Sequence, residues 1–302
     1  MELITVFTPT YNRAELLKRG YAALKRQTSK NFRWMIIDDG STDETKEVVQ
    51  EFVDETKEFR IDYIWKENGG LHTGYNTAIE YAETELMVCI DSDDFMPDDA
   101  IEKIERFWKE YGSDKYAGIV GLDYDLEDNM IGDPLPSQKT VNLIDLLIGK
   151  YKINNGDRTN VVRTELYKKY APMKVFDGEK NFNPHYLHLQ ISREYDFLVL
   201  NENLRYVEYQ PTGMTKSIWK QYYNSPNSFA ETRKLYLSFE QASLKFKLKN
   251  TVHYIASCLL AHKRIKEILR IGHKGYLILC WPVGVAMSFV TKRKGREIYE
   301  KD

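Results

Sequence analysis

The chain has 302 residues, 42% hydrophobic and 29% charged, enough for a full core in one large domain or one domain with an appendage. Its net charge of -2 hides an asymmetry: Lys245 to Arg296 carries 12 Lys and Arg against the single acid Glu267, while 30 basic residues face 41 acidic ones before position 245. An acidic body with a basic tail suits docking on anionic lipid and argues against a chain that wraps nucleic acid.

The N-terminus, Met1 to Phe7, has no basic leader, so no secretory signal is expected. Strand-like runs at 3–7, 32–37, 61–65, 86–90 and 119–122 alternate with helical spacing at 14–26, 44–53, 74–82 and 99–110. This β-α-β-α order predicts a mostly parallel sheet flanked by helices. Residues 123–138, rich in Asp, Gly and Pro, read as a long loop or irregular hairpin. Beyond it, 143–148 and 186–193 read as helices and 197–200 and 204–209 as short strands of a smaller half. From Phe229 to Ile271 the pattern is almost continuously helical. Cys89, Cys258 and Cys280 are far apart, odd in number and lack zinc-ligand spacing, which argues against a disulfide framework or zinc cluster and fits a reducing cytoplasm.

Two strands run straight into aspartates: 34–37 into Asp38-Asp39-Gly40-Ser41-Thr42-Asp43, and 86–90 into Asp91-Ser92-Asp93-Asp94. Ligands of an open α/β sheet sit beyond the carboxyl ends of its strands, so both clusters are expected to face one crevice. Carboxylates this close repel one another and are held together by a divalent cation and by donors such as a base N–H or ribose hydroxyls. The pattern reads as a site for a metal-bound nucleotide. The first cluster alone would serve equally as a turn and helix cap. His72 reads as an exposed loop histidine.

In order and spacing, Thr8-Pro9-Thr10-Tyr11-Asn12-Arg13, the Asp38–Asp43 run, Glu67-Asn68-Gly69-Gly70 with Asn76, and Asp91–Asp94 resemble family 2 glycosyltransferases, strongly over the first 125 residues and more weakly beyond. The resemblance implies a GT-A fold, a nucleotide-sugar donor, Mg²⁺ or Mn²⁺ and inversion at the anomeric carbon. It implies that Thr8, Pro9 and Tyr11 line the nucleobase, that Asp39 accepts a base N–H, that Asp91 lies by the ribose and that Asp93 binds the metal, with Asp91 as a second metal candidate. Arg13, Asn68, Gly70, Asn76 and Ser92 complete the expected donor site. An inverting transferase also needs a base for the acceptor hydroxyl. The resemblance places it within 176–185, where related capsule enzymes carry Glu after the Pro and this chain has His185. Glu179, His185 and Asp177 are the candidates.

Residues 275–291 are uncharged between basic flanks. Seventeen helical residues span roughly 25 Å, short of the ~30 Å hydrocarbon core, and Pro282 and Gly284 are expected to interrupt them. An in-plane or re-entrant anchor bearing Leu277, Leu279 and Trp281 is expected, the alternative being a buried core helix. The organisation expected is a transferase domain over 1–225, divided into a nucleotide-sugar-binding half (1–125) and an acceptor half (126–225), followed by a helical membrane-associating tail over 226–302. The function expected is transfer from a nucleotide-sugar, UDP-linked above all, to a growing and lipid-linked cell-surface glycan at the inner face of the membrane. A non-catalytic scaffold of a polysaccharide assembly complex and a metal-dependent nucleotidyltransferase are the rivals.

Overall fold

Ile4–Thr10 (β1) is buried along its whole length, as a run of β-branched and aromatic residues covered on both faces should be. It pairs in parallel with Phe32–Asp38 (β2) on one side and Leu86–Cys89 (β4) on the other. The structure is a computed structural model describing residues 2–154, 156–209, 218–272 and 274–299.

Two compact units can be distinguished, Met1–Gly69 with Thr73–Met173 and Leu187–Tyr209, and Gly70–His72 with Lys174–Tyr186 and Gln210–Asp302. The first holds the sheet, which with Arg60–Trp65 (β3), Tyr116–Tyr124 (β5), Thr140–Val141 (β6), Arg158–Arg163 (β7) and Asp196–Tyr206 (β8) has the order β3-β2-β1-β4-β7-β5-β8-β6. The first four strands are parallel, but β7 lies antiparallel between β4 and β5, and β6 is antiparallel to β8. The sheet is therefore mixed.

Ala14–Arg26 (α1), Thr45–Glu55 (α2), Leu71–Tyr81 (α3) and Ala100–Tyr111 (α4) are the crossovers, and the short helices Leu143–Leu147 (α5), Thr164–Tyr170 (α6) and His185–Ile191 (α7) follow in the chain. Leu17, Leu24, Val48, Val49, Phe52, Ile101 and Ile104 from three of the crossovers meet Trp34, Ile36 and Val88 of the strands in one core. The chain leaves β1 toward β2 and β3, then returns to β4 on the other side, so the β1/β4 boundary is the switch point where a ligand crevice forms. Pairing of β1 with β4 stops at Phe7↔Cys89, whereas pairing with β2 continues to Thr10↔Asp38. Pro9 thus sits beyond the end of β4, where its missing N–H is tolerated. The two short strands expected at 197–200 and 204–209 are one, β8, with register shifts against β5.

The second unit is helical: Ile218–Asn224 (α8), Pro226–Leu237 (α9), Leu244–Leu260 (α10), Ile265–Ile268 (α11) and Lys274–Tyr299 (α12). The expected continuous helix is broken twice, at a Ser243 cap whose side chain accepts from Phe246 N and at His262, which takes a left-handed φ of 54°. A smaller core of Tyr254, Ile255, Cys258, Ile268, Leu277 and Cys280 holds this unit together.

Candidate functional site

The loops after β1 and β2 are tied to each other. Asn12, at φ 51°, accepts from Thr42 N at 2.7 Å and donates its own N–H to Ser41 Oγ at 2.8 Å. Asp43 accepts from Ala14 N at 3.2 Å and from Thr45 Oγ1 at 2.6 Å, and so serves the starts of α1 and α2. Asp38 points inward, accepting from Ser41 N at 2.8 Å and from the Tyr63 hydroxyl at 2.6 Å. The turn-and-cap reading therefore holds for Asp38 and Asp43.

Asp39 has different surroundings. Its Oδ1 accepts from Lys66 Nζ at 2.5 Å and Gly69 N at 2.9 Å, while Asn68 Nδ2 donates to its backbone carbonyl at 2.7 Å. Lys66 also donates to Thr73 Oγ1 at 2.8 Å. The approach demands Gly40, which sits at φ 83° where a Cβ would lie 2.9 Å from Asn68 N. Tyr11, 48% exposed, presents a ring beside this loop in sequence, and Thr8 is buried with its hydroxyl bonded to Trp34 Nε1 at 3.0 Å.

Beyond β4, Arg13 Nη1 lies 3.1 Å from Asp93 Oδ1 and donates to Ser92 Oγ at 3.2 Å, and Arg19 holds the Asp93 backbone carbonyl. Arg205 of β8 stands behind the cluster, 3.8 Å from Asp91, 3.4 Å from Asp94 and paired with Asp123. Burial pushes the Asp91 carboxyl upward, opposed by Arg205 and reinforced by Asp93, and pushes Asp94 up to about 8. β2 and β4 flank β1, so at ~4.8 Å per strand the two strands that lead into these clusters run about 10 Å apart. Among the described residues no three acidic, His or Cys side chains converge on a ready-made metal cage. An ion held by one or two protein carboxylates, with phosphate and water oxygens in its other positions, would draw on Asp93 and Asp91, which now stand near Arg13 and Arg205.

Other expected residues have structural partners. Asn76 is clipped to the backbone of Met173 through both amide groups, at 2.9 and 2.7 Å. Gly70, at φ 90°, lets the chain pass Lys180, whose carbonyl oxygen a Cβ would meet at 2.0 Å. His72 is not an exposed loop residue: it lies in the first turn of α3, 0% exposed, with its ring 6.1 Å from that of Phe182.

Of the three candidates for the base, Glu179 is 6% exposed and accepts from Asn227 N and Nδ2 and from Ser228 N and Oγ, at 2.7 to 2.9 Å. These are first-turn donors of α9, which opens with Pro226. Asp177 is exposed in a turn closed by Glu179 N on Phe176 O at 3.0 Å. His185 opens the helix His185–Ile191 (α7), and burial lowers its pKa to about 4, which leaves the imidazole neutral near pH 7. Sequence reasoning missed Lys66 and Arg205. The first had a signal, a lysine directly before Glu67-Asn68-Gly69; the second, on a strand remote in sequence, had none.

A doubly wound sheet with an aspartate-bearing loop on each side of its switch point is the arrangement in which α/β enzymes bind their ligands. The glycosyl transferase family 2 model matches residues 5–170, more than half of the chain, and the chain belongs to that family. It is 33% identical over 100 residues to a chondroitin synthase of Pasteurella multocida, covering 33% of this chain and 10% of that one. Matches to curated relatives span 10% to 65% of their lengths. The fold is GT-A: Staphylococcus aureus TarS 1-349 in complex with UDP-GlcNAc superposes with a TM-score of 0.57 at 17% identity, covering 100% of this chain and 92% of that one. A Pyrobaculum calidifontis mannosyltransferase in complex with GDP-Man and Mn²⁺ superposes at 0.57 and 15%, covering 99% and 88%.

Proposed function

We propose that the chain is an inverting, metal-assisted hexosyltransferase that moves a sugar from a nucleotide-sugar, UDP-linked, to a growing lipid-linked glycan. The observation that carries this reading is the pair of carboxylate clusters that follow β2 and β4, on either side of β1, one around Asp39 and Lys66, the other around Asp93 and Arg13. Tyr11 stacks on the base, Asp39 accepts its N–H, and Lys66, Gly69 and Thr73 hold that carboxylate in place. Asp91 faces the ribose. Asp93, with Asp91, would hold Mg²⁺ or Mn²⁺, and such an ion counters charge developing on the departing diphosphate. Arg13, already within 3.1 Å of Asp93, adds a guanidinium for the phosphates.

His185 is the base in this reading. Its imidazole stays neutral, and therefore able to take a proton, over the physiological range. Glu179, with both oxygens engaged at the start of α9, is assigned a positioning role. Residues 1–125 serve the donor and 126–225 the acceptor, while 226–302 hold the enzyme on the inner face of the cell membrane beside its acceptor. The chondroitin synthase relative and the UDP-GlcNAc complex of the structural neighbour support a glycan product and a UDP donor.

A thermal-shift panel of UDP, GDP, dTDP and CMP with and without Mn²⁺, followed by assay of product from the stabilising donor and a membrane extract, tests the reading. Metal-dependent stabilisation by UDP and transfer of the sugar are expected. Stabilisation without any product would favour a scaffold.

A further inference from the structure

α12 carries two apolar faces, and the protein itself covers one. Leu277, Cys280, Gly284, Ser288, Thr291 and Gly295 are buried at spacings of three and four, a row that stays on one side of a helix with 3.6 residues per turn. This row packs on α10 and α8: a Cβ at Gly284 would lie 2.6 Å from Ile255, and one at Gly295 would lie 2.6 Å from Tyr223. Gly284 is thus a close-packing point, and the helix runs unbroken through Pro282. Leu277, at 1% exposure, and the partly buried Trp281 belong to the core rather than to the outer face.

On the opposite side Ile278, Leu279, Val283, Phe289 and Val290 are 74, 67, 55, 69 and 41% exposed. Lys274 precedes this row and Lys292, Arg293 and Arg296 follow it, all exposed, and the preceding turn also exposes Ile265 and Leu269 beside Arg264, Lys266 and Arg270. A second copy of the chain would bring one cationic rim against another; a sheet of anionic headgroups complements both ends of the row. By length and composition Lys274–Arg296 could cross a membrane, but its opposite face is taken up by α10 and α8, and the exposed apolar row, from Ile278 to Val290, is only about 18 Å long against a ~30 Å hydrocarbon core.

We propose that α12 lies flat in the interface of an anionic bilayer, with Ile278, Leu279, Val283, Phe289 and Val290 sunk among the acyl chains, its basic ends on the headgroups and its other face held by α10. This rests on the reading that 226–302 attach the enzyme to the membrane, and it adds the mode: the helix does not cross, so its two ends stay on one side.

The test uses the full chain and vesicles of phosphatidylcholine with or without phosphatidylglycerol. Wild type should float with the anionic vesicles and release in high salt. Leu279→Ser/Val283→Ser/Phe289→Ser, which leaves the buried row intact, should reduce partitioning about tenfold or more while the melting temperature and its shift with UDP persist. Tags at the two termini, probed by protease on sealed inverted membrane vesicles, should be cleaved together. Termini on opposite sides would overturn the in-plane mode while leaving attachment standing. Wild type that ignores both vesicle types would overturn attachment itself. A triple variant that floats like wild type, or a wild-type dimer that protects position 279 in solution, would assign the face to another occupant.

Discussion

Glu179 reaches Ser228 twice, accepting its backbone N–H at 2.8 Å and its hydroxyl at 2.7 Å, so a residue from the acidic motif before α7 closes the start of α9. Glu179→Ala should leave these first-turn donors unpaired and lower stability by about 1–3 kcal/mol, seen as a lower midpoint in urea. Transfer by the remaining folded enzyme should persist. A variant of unchanged stability with no activity would return the role of base to Glu179.

His185→Ala should abolish transfer, with donor binding retained. Because burial holds the imidazole pKa near 4, the neutral, proton-accepting form prevails down to about pH 4–5 and is lost only as pH falls through 4. The acid limb of kcat against pH should therefore lie well below the ~6.5 of an unperturbed histidine. A limb near 6.5, or an active His185→Ala enzyme, would place the base elsewhere.

Asp39→Ala should weaken nucleotide binding by roughly 1.5–3 kcal/mol, the range for a hydrogen bond to a charged group. Lys66→Met should weaken it in the same direction, because Lys66 orients that carboxylate from 2.5 Å. Calorimetric titration with UDP checks both, and unchanged affinity in Asp39→Ala would move the base from this loop.

Gly70→Ala combines a left-handed φ of 90° with a Cβ only 2.0 Å from the Lys180 carbonyl oxygen. A loss of at least about 1–3 kcal/mol is expected, read as a fall in the melting temperature. A variant as stable as wild type would show that this loop carries no tight packing.

Residues 1–122 were legible because each element there is set by local pattern: buried β-branched strands alternating with amphipathic helices, each strand ending in polar turn residues. Later elements depend on distant partners. β7 opens with Arg158, Thr159 and Asn160, which no hydrophobic run would mark, and is a strand because β4 and β5 bond to it from both sides. Asp39 and Asp91 stood out as strand-end carboxylates, yet the cations that answer them come from elsewhere: Lys66 from just after β3, and Arg205 from β8. The tail read as apolar from composition, but only the fold separates Leu277, which faces the core, from Leu279, which does not.

Calorimetric titration of wild type and Asp93→Ala with UDP, in Mn²⁺ and in EDTA, tests whether a nucleotide is held through a cation at Asp93. Wild type should bind in Mn²⁺ and lose most affinity in EDTA, while Asp93→Ala, equally folded by its melting curve, should bind weakly in both. Equal affinity in all four titrations, or no binding by wild type, would rule out a cation-held nucleotide at Asp93.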